Sequence, residues 1–219
     1  MLLPGQFLPL ARRNGLMGAV TDAVLHRAVG EAAQWRAEGT DMAFAVNLFP
    51  PSLADQKLPD RIVAILARRG LDPSCLTVEI TEDFLLHNTR NTVHVLETLR
   101  ERGIRVSIDD FGSGYSALSY LRNLPVDELK MDRHLVAPIL EDARAEAIVR
   151  AVIDLTHELG MTCVAEGVEN AATADRLAAF GCDVMQGNHC SLPVSAAEVL
   201  ELGARAPADV SVSLSTETL

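Results

Sequence analysis

One unit recurs along this chain: an amphipathic helical stretch, a glycine, a short apolar run, and then an acidic or amide residue. It reads as ILARRGLDPSCLTVEITE with Gly70 and Glu79, and as LETLRERGIRVSIDD with Gly103 and Asp109. It returns as LTHELGMTCVAEGVE with Gly160 and Glu166, and as LAAFGCDVMQG with Gly181 and Gln186. Each glycine falls where a helix C-terminus takes a residue comfortable at positive φ. MAFAVN and VDELKMD supply two further apolar runs, ending in Asn47 and in Lys130 with Asp132. The pattern predicts strands near 43–47, 76–80, 105–109, 128–132, 162–166 and 183–186. Helices are expected near 19–38, 59–69, 89–102, 116–123, 143–159 and 171–180. Short β-rich runs alternating with helical patterns make βα units and a parallel sheet.

Spacing of this kind fits a (β/α) barrel, whose chemistry comes from the carboxyl ends of many strands opening on one face. Nearly every expected strand here ends in a metal-capable or proton-transferring group. A doubly wound sheet is the competing fold, but it gathers ligands at one switch point rather than from every strand. FGSGYS follows a strand, yet it has neither the GxGxxG spacing nor a GK[ST] ending. Its glycines suit a loop that folds tightly back over a site.

RVSIDDFGSGYSAL, residues 105–118, poses the sharpest chemical question. An apolar strand ends in adjacent carboxylates, Asp109 and Asp110, which repel one another unless a cation lies between them. Hard oxygen ligands at several strand ends suit Mg²⁺ or Mn²⁺, whereas soft or imidazole-rich sets suit zinc. None of the six histidines pairs at i, i+4. Only His189, after the last strand, is placed to reach the rim. Trp35 is expected to pack, from the apolar face of the first helix.

With 219 residues, the chain has room for a sizeable core. Its net charge of −11 argues against a nucleic-acid polymer or an anionic membrane surface as partner. A divalent cation removes that objection for a small phosphate compound. The four cysteines (Cys75, Cys163, Cys182, Cys190) show no CxxC spacing and are expected to be buried, reduced thiols. No apolar run approaches the roughly 18–20 residues of a membrane span. A bacterial-type cytoplasmic protein is the expectation.

VNL, VEITE, DDFGSGYSAL, LPVDELKMD, AEGVE and QG, in that order and spacing, closely resemble the EAL-type cyclic di-GMP phosphodiesterase domain. The resemblance runs from about residue 3 to about residue 202. It implies a modified (β/α)8 barrel that uses Mg²⁺ or Mn²⁺ to open one phosphodiester of cyclic di-GMP, giving linear pGpG. It implies Asn47, Glu79 and Asp109 as ligands of one metal, with Asp109 bridging to a second held by Asp110 and Glu166. Glu166 is implied as general base or ligand, and Lys130 as the group that orients the attacking water or screens the phosphate. Glu82 resembles the anchor of the loop at 111–116, while Asp132, Glu169 and Gln186 resemble residues lining the site. A homodimer built through helices on one side of the barrel is also implied.

The family's domains begin with two strands, the second carrying a Glu-Ala-Leu signature whose glutamate ligates metal and, just beyond, an arginine that contacts substrate. Here MLLPGQFLPLARRNGLM matches the segment directly after that signature. The expectation is therefore one EAL-like barrel domain over 1–203 with about six of eight strands, and a disordered tail over 204–219. Six strands leave a sheet edge that eight would close. Three explanations stand open: a longer natural chain, a catalytically degenerate module, or strands supplied by a second chain. Phe49 where a serine is usual, Asn188 in place of an aromatic, and Leu192 in place of a basic residue each weaken substrate contact. The alternatives to a phosphodiesterase are a non-catalytic module that binds cyclic di-GMP or a protein, and a barrel that abstracts a proton beside a carboxylate.

Overall fold

The computed structural model describes residues 4–82, 90–113 and 121–203. His87, loop residues 114–116, most of the helix expected at 116–123, and the tail 204–219 lie outside them. In chain order the regular elements begin with α1 (Pro4–Arg13), α2 (Met17–Ala37), β1 (Phe44–Asn47), α3 (Leu58–Arg68) and β2 (Leu76–Thr81). Next come α4 (Arg90–Glu101), β3 (Arg105–Phe111), β4 (Glu128–Met131) and a one-turn helix, α5 (Arg133–Val136). The chain continues through α6 (Ala143–Glu158), β5 (Thr162–Ala165), α7 (Ala171–Ala179), β6 (Val184–Met185) and α8 (Ala196–Gly203). Strand order follows the sequence from β1 to β6, and every described pairing is parallel. All six expected strands form, and Gly70, Gly103, Gly160 and Gly181 take φ of 68°, 85°, 73° and 82° at the helix exits.

The chain divides into two compact units. The first holds described residues 4–79, 90–105 and 195–203. In it α2 buries Thr21, Leu25, Val29, Ala32 and Trp35, a three-to-four-residue stripe that fixes one face inward. On α3 the stripe is Leu58, Ile62, Ile65 and Leu66. Each buried valine, leucine or isoleucine among them contributes roughly 1.5–3 kcal/mol relative to exposure. Trp35 packs as expected, 2% exposed, and its Nε1 donates to the carbonyl of Ala196 at 2.9 Å, tying down α8. Asn47 is level with Glu79 in the β1–β2 register.

The second unit holds described residues 80–82, 106–113 and 121–194. Its strands β3, β4 and β5 are buried along most of their length, including Ile108, Leu129, Met131, Cys163, Val164 and Ala165, as a parallel sheet covered on both faces requires, whereas β6 is half-buried. Two aspartates fasten its strand entries. Asp127, before β4, accepts the N–H of Val106 at 2.9 Å, and Asp183, before β6, accepts that of Cys163 at 2.7 Å. Asp142 and Asn170 cap α6 and α7 by accepting from Arg144 and Thr173. The cysteines are all free thiols, but only Cys163 is buried; Cys75 and Cys182 are half-buried and Cys190 is exposed, contrary to the expectation of buried thiols. Cys190 follows β6 in an exposed turn rather than entering the core.

Candidate metal centre

β3 does not run as a regular strand to its end. Ile108 is level with Leu129 and Phe111 with Met131, so two residues, Asp109 and Asp110, face one, Lys130. That extra residue is a β-bulge. Asp110 has φ 56°, the one positive value at a non-glycine residue among the described residues. Left-handed backbone costs an ordinary residue roughly 1–2 kcal/mol, and aspartate tolerates it better than most. In a regular strand neighbouring side chains point to opposite faces. The bulge and the left-handed turn break that alternation, so the adjacent carboxylates serve one site.

Glu166, directly after β5, completes it. Carboxylate oxygens of Asp109, Asp110 and Glu166 all lie within 4.8 Å of one another. Lys130, on β4 between β3 and β5, is 4% exposed. Its Nζ donates to Asp109 Oδ1 at 2.9 Å and pairs with Glu166 Oε1 at 2.6 Å. Burial pushes the Glu166 carboxyl above the ordinary range against the pull of Lys130, with Asp109 and Asp110 adding to the rise. The cluster thus gathers three acids with one ammonium group paired to two of them, an arrangement that favours additional positive charge.

α5 sets the spacing of the loops that carry these acids. Asp132 caps it, accepting from the His134 N–H at 2.7 Å, while the His134 ring nitrogen Nδ1 lies 2.6 Å from the same oxygen. Gly112, after Asp110, has φ 95°, and a Cβ there would meet Leu135 Cδ1 at 2.2 Å. Gly167, after Glu166, has φ 67°, and a Cβ there would meet Arg133 Cβ at 2.4 Å. Both loops therefore press glycine backbone against this single turn. Glu82, 3% exposed, accepts the Gly112 N–H at 2.9 Å through Oε2.

The remaining residues singled out in the sequence are placed as follows. In the first unit Asn47 Nδ2 donates to Glu79 Oε2 at 3.1 Å, with Glu79 1% exposed. In the second, Glu169 is exposed and accepts from Asn188 Nδ2 at 2.9 Å. Gln186 holds the β6 exit through its backbone, donating to Ala165 and accepting from Val168. His189 is exposed and donates its N–H to the carbonyl of Val168. Reasoning from sequence passed over His134, Arg133 and Leu135. Aspartate directly after a strand and before RHLV was the available sign of a capped turn.

Parallel βα units with an acidic cluster at the strand exits define a (β/α) protein with a metal-capable rim. The chain belongs to the EAL domain family, whose model matches residues 1–193. It is 38% identical over 201 residues to the bifunctional diguanylate cyclase/cyclic di-GMP phosphodiesterase MucR of Pseudomonas aeruginosa, a match covering 91% of this chain and 29% of MucR. Among solved structures, the MucR phosphodiesterase in complex with c-di-GMP superposes with a TM-score of 0.82 at 38% identity, covering 90% of this chain and 80% of that one. The EAL domain of Mycobacterium smegmatis DcpA gives a TM-score of 0.83 at 37% identity, covering 88% of each chain. The fold is that of EAL domains, a TIM-barrel-like architecture. The chain spans less than a third of the length of the curated relatives it matches. Among the described residues no helix is long and apolar enough to cross a membrane.

Proposed function

We propose that this chain is a metal-dependent phosphodiesterase module that opens one phosphodiester of cyclic di-GMP to linear pGpG in bacterial second-messenger signalling. One observation carries the reading: Asp109, Asp110 and Glu166 cluster at the exits of β3 and β5, with Lys130 of β4 paired to Asp109 and Glu166. The relatives' names support it, MucR being called a cyclic di-GMP phosphodiesterase and its structure a c-di-GMP complex.

The donor set fits a hard divalent cation, since every clustered ligand is a carboxylate oxygen, and Mg²⁺ or Mn²⁺ is the natural choice. Asp109, Asp110 and Glu166 would hold it, with Asn47 and Glu79 as the further ligands that family membership suggests. When bound, such cations neutralise phosphate charge and acidify water. Glu166 acts as general base or ligand, its affinity for a proton raised by burial. Lys130 orients the attacking water or screens the phosphate from the acids beside it. Asp132, Glu169 and Gln186 line the site, and Glu82 anchors the loop that begins at Gly112. Exposed Leu140, just before α6, and Ile148, on α6, at 43% and 50%, support a homodimer through helices on one side of the barrel. We place the protein in the cytoplasm, where the dinucleotide acts.

A second reading is a module that binds cyclic di-GMP, or a protein partner, without turnover. It is favoured by the Asn188 amide on Glu169, which occupies a carboxylate assigned to the site. Incubation of the chain with cyclic di-GMP and Mg²⁺ or Mn²⁺, followed by nucleotide separation, decides between them. Accumulating pGpG supports the phosphodiesterase. Calorimetric binding with no product under either metal supports the receptor, and absence of both supports protein docking.

A further inference from the structure

Two thiols meet at the start of β6, away from the acidic cluster. Cys163 lies in β5 and is fully buried, whereas Cys182 is half-buried in the turn between α7 and β6. Cys182 Sγ lies 3.6 Å from the Cys163 carbonyl and 3.3 Å from that of Val184. Contact between the two thiols pushes that of Cys163 up and that of Cys182 down. In the β5–β6 register Val164 is level with Val184, so Cys182 is one strand across from Cys163 and one residue along. Strand spacing and rise then put the two Cα atoms about 6 Å apart. That separation lies within the Cα range that disulfides span.

The surroundings hold both partners in place. Asp183, next to Cys182, accepts the Cys163 N–H at 2.7 Å through the same oxygen that lies 2.9 Å from His157 Nε2. We propose that Cys163 and Cys182 are a modification site, oxidised by a hydroperoxide to an intramolecular disulfide. Cys182 is the attacking sulfur, because it is half-buried where Cys163 is sealed from solvent, and contact with Cys163 holds its thiol below the ordinary range while burial and the same contact push Cys163 up.

Cys182 thiolate attacks one peroxide oxygen. The O–O bond breaks, a sulfenic acid forms, and the departing alkoxide takes a proton from solvent to leave as alcohol, or as water if the oxidant is hydrogen peroxide. Cys163 sulfur then displaces the sulfenic oxygen, and its own proton leaves with that oxygen as water. Two thiols lose two electrons in total and one peroxide gains them. The product ties the β5 entry to the β6 entry and closes the stretch that contains Glu166 and Glu169.

The test uses the full chain carrying Cys75→Ser and Cys190→Ser, treated with hydrogen peroxide and read by maleimide labelling and peptide mass spectrometry. The expected result is loss of both remaining labels together, a joined peptide lighter by two hydrogens, and recovery of both labels with dithiothreitol. Adding Cys163→Ser to this chain, with circular dichroism as the check on folding, is expected to leave a Cys182 sulfenic acid that dimedone traps. Sulfinic acid at Cys182 with Cys163 still labelled, chains joined to one another through Cys182, or no oxidation of either thiol would each overturn the proposal.

Discussion

Lys130 reaches Glu166 at 2.6 Å while the same ammonium group donates to Asp109 at 2.9 Å, so one buried cation stands between acids from two neighbouring strands. The contact makes the metal-free fold depend on a residue whose proposed work is in catalysis. Lys130→Met should destabilise the metal-free protein by about 3–5 kcal/mol, because it strands buried carboxylates without their partner. Urea unfolding measures this directly. Added Mn²⁺ should recover more stability in the variant than in the wild type, since the ion then supplies the missing charge.

Glu166 gives the pH dependence. Its folded-state affinity for a proton is raised above the ordinary value of 4.5, chiefly by burial. A group raised in this way adds stability that is fully present below its unfolded pKa and lost as pH rises through the folded one. The metal-free protein should therefore lose stability as pH climbs from 4.5 upward, and Glu166→Gln should flatten that slope. Thermal melts in chelator across the range test the sign. Mg²⁺ should raise the melting temperature more near pH 7.5 than near pH 5, because protons compete for the same oxygens.

Asp110 separates charge from backbone strain. Asp110→Asn removes the like charge but keeps a residue that tolerates φ 56°, so it should stabilise the metal-free protein while weakening divalent-ion binding. Asp110→Gly should be more stable than Asp110→Ala by about 1 kcal/mol, reflecting the left-handed backbone alone. Chemical denaturation of the three variants gives the comparison.

Gly167 tests the wedge formed by α5. Gly167→Ala places a Cβ at 2.4 Å from Arg133, whereas Gly39→Ala, at φ 88°, meets nothing within 4 Å. Both pay a backbone cost of about 1 kcal/mol. The Gly167 variant should lose more than that and should bind Mn²⁺ more weakly, because Glu166 is its immediate neighbour. Equal losses in the two variants would mean that α5 does not position the loop.

Four of the six strands were legible because they announce themselves three times over, by a helix-ending glycine, an apolar run and a terminal polar residue. Gly103, Val106 to Ile108 and Asp109 are one example. The recurring acids at strand exits made the metal-capable rim legible too. Reading β3 as ending at Asp109 missed its continuation to Phe111, because the bulge is a matter of register with β4 and leaves no local trace. Helix α1 was passed over because Pro4 and Pro9 interrupt its pattern, and α5 because one turn has no periodicity to read. The meeting of Cys163 with Cys182 depends on how β5 lies against β6, which spacing in the sequence does not disclose.

The most direct trial of the central claim is an Mn²⁺ titration of the purified chain, followed by electron paramagnetic resonance, beside Asp109→Asn and Glu166→Gln. Saturable binding in the wild type, weakened at least tenfold in each variant, is the predicted result, a loss of about 1.4 kcal/mol or more. Equal affinity in all three proteins, or none in the wild type, would contradict it.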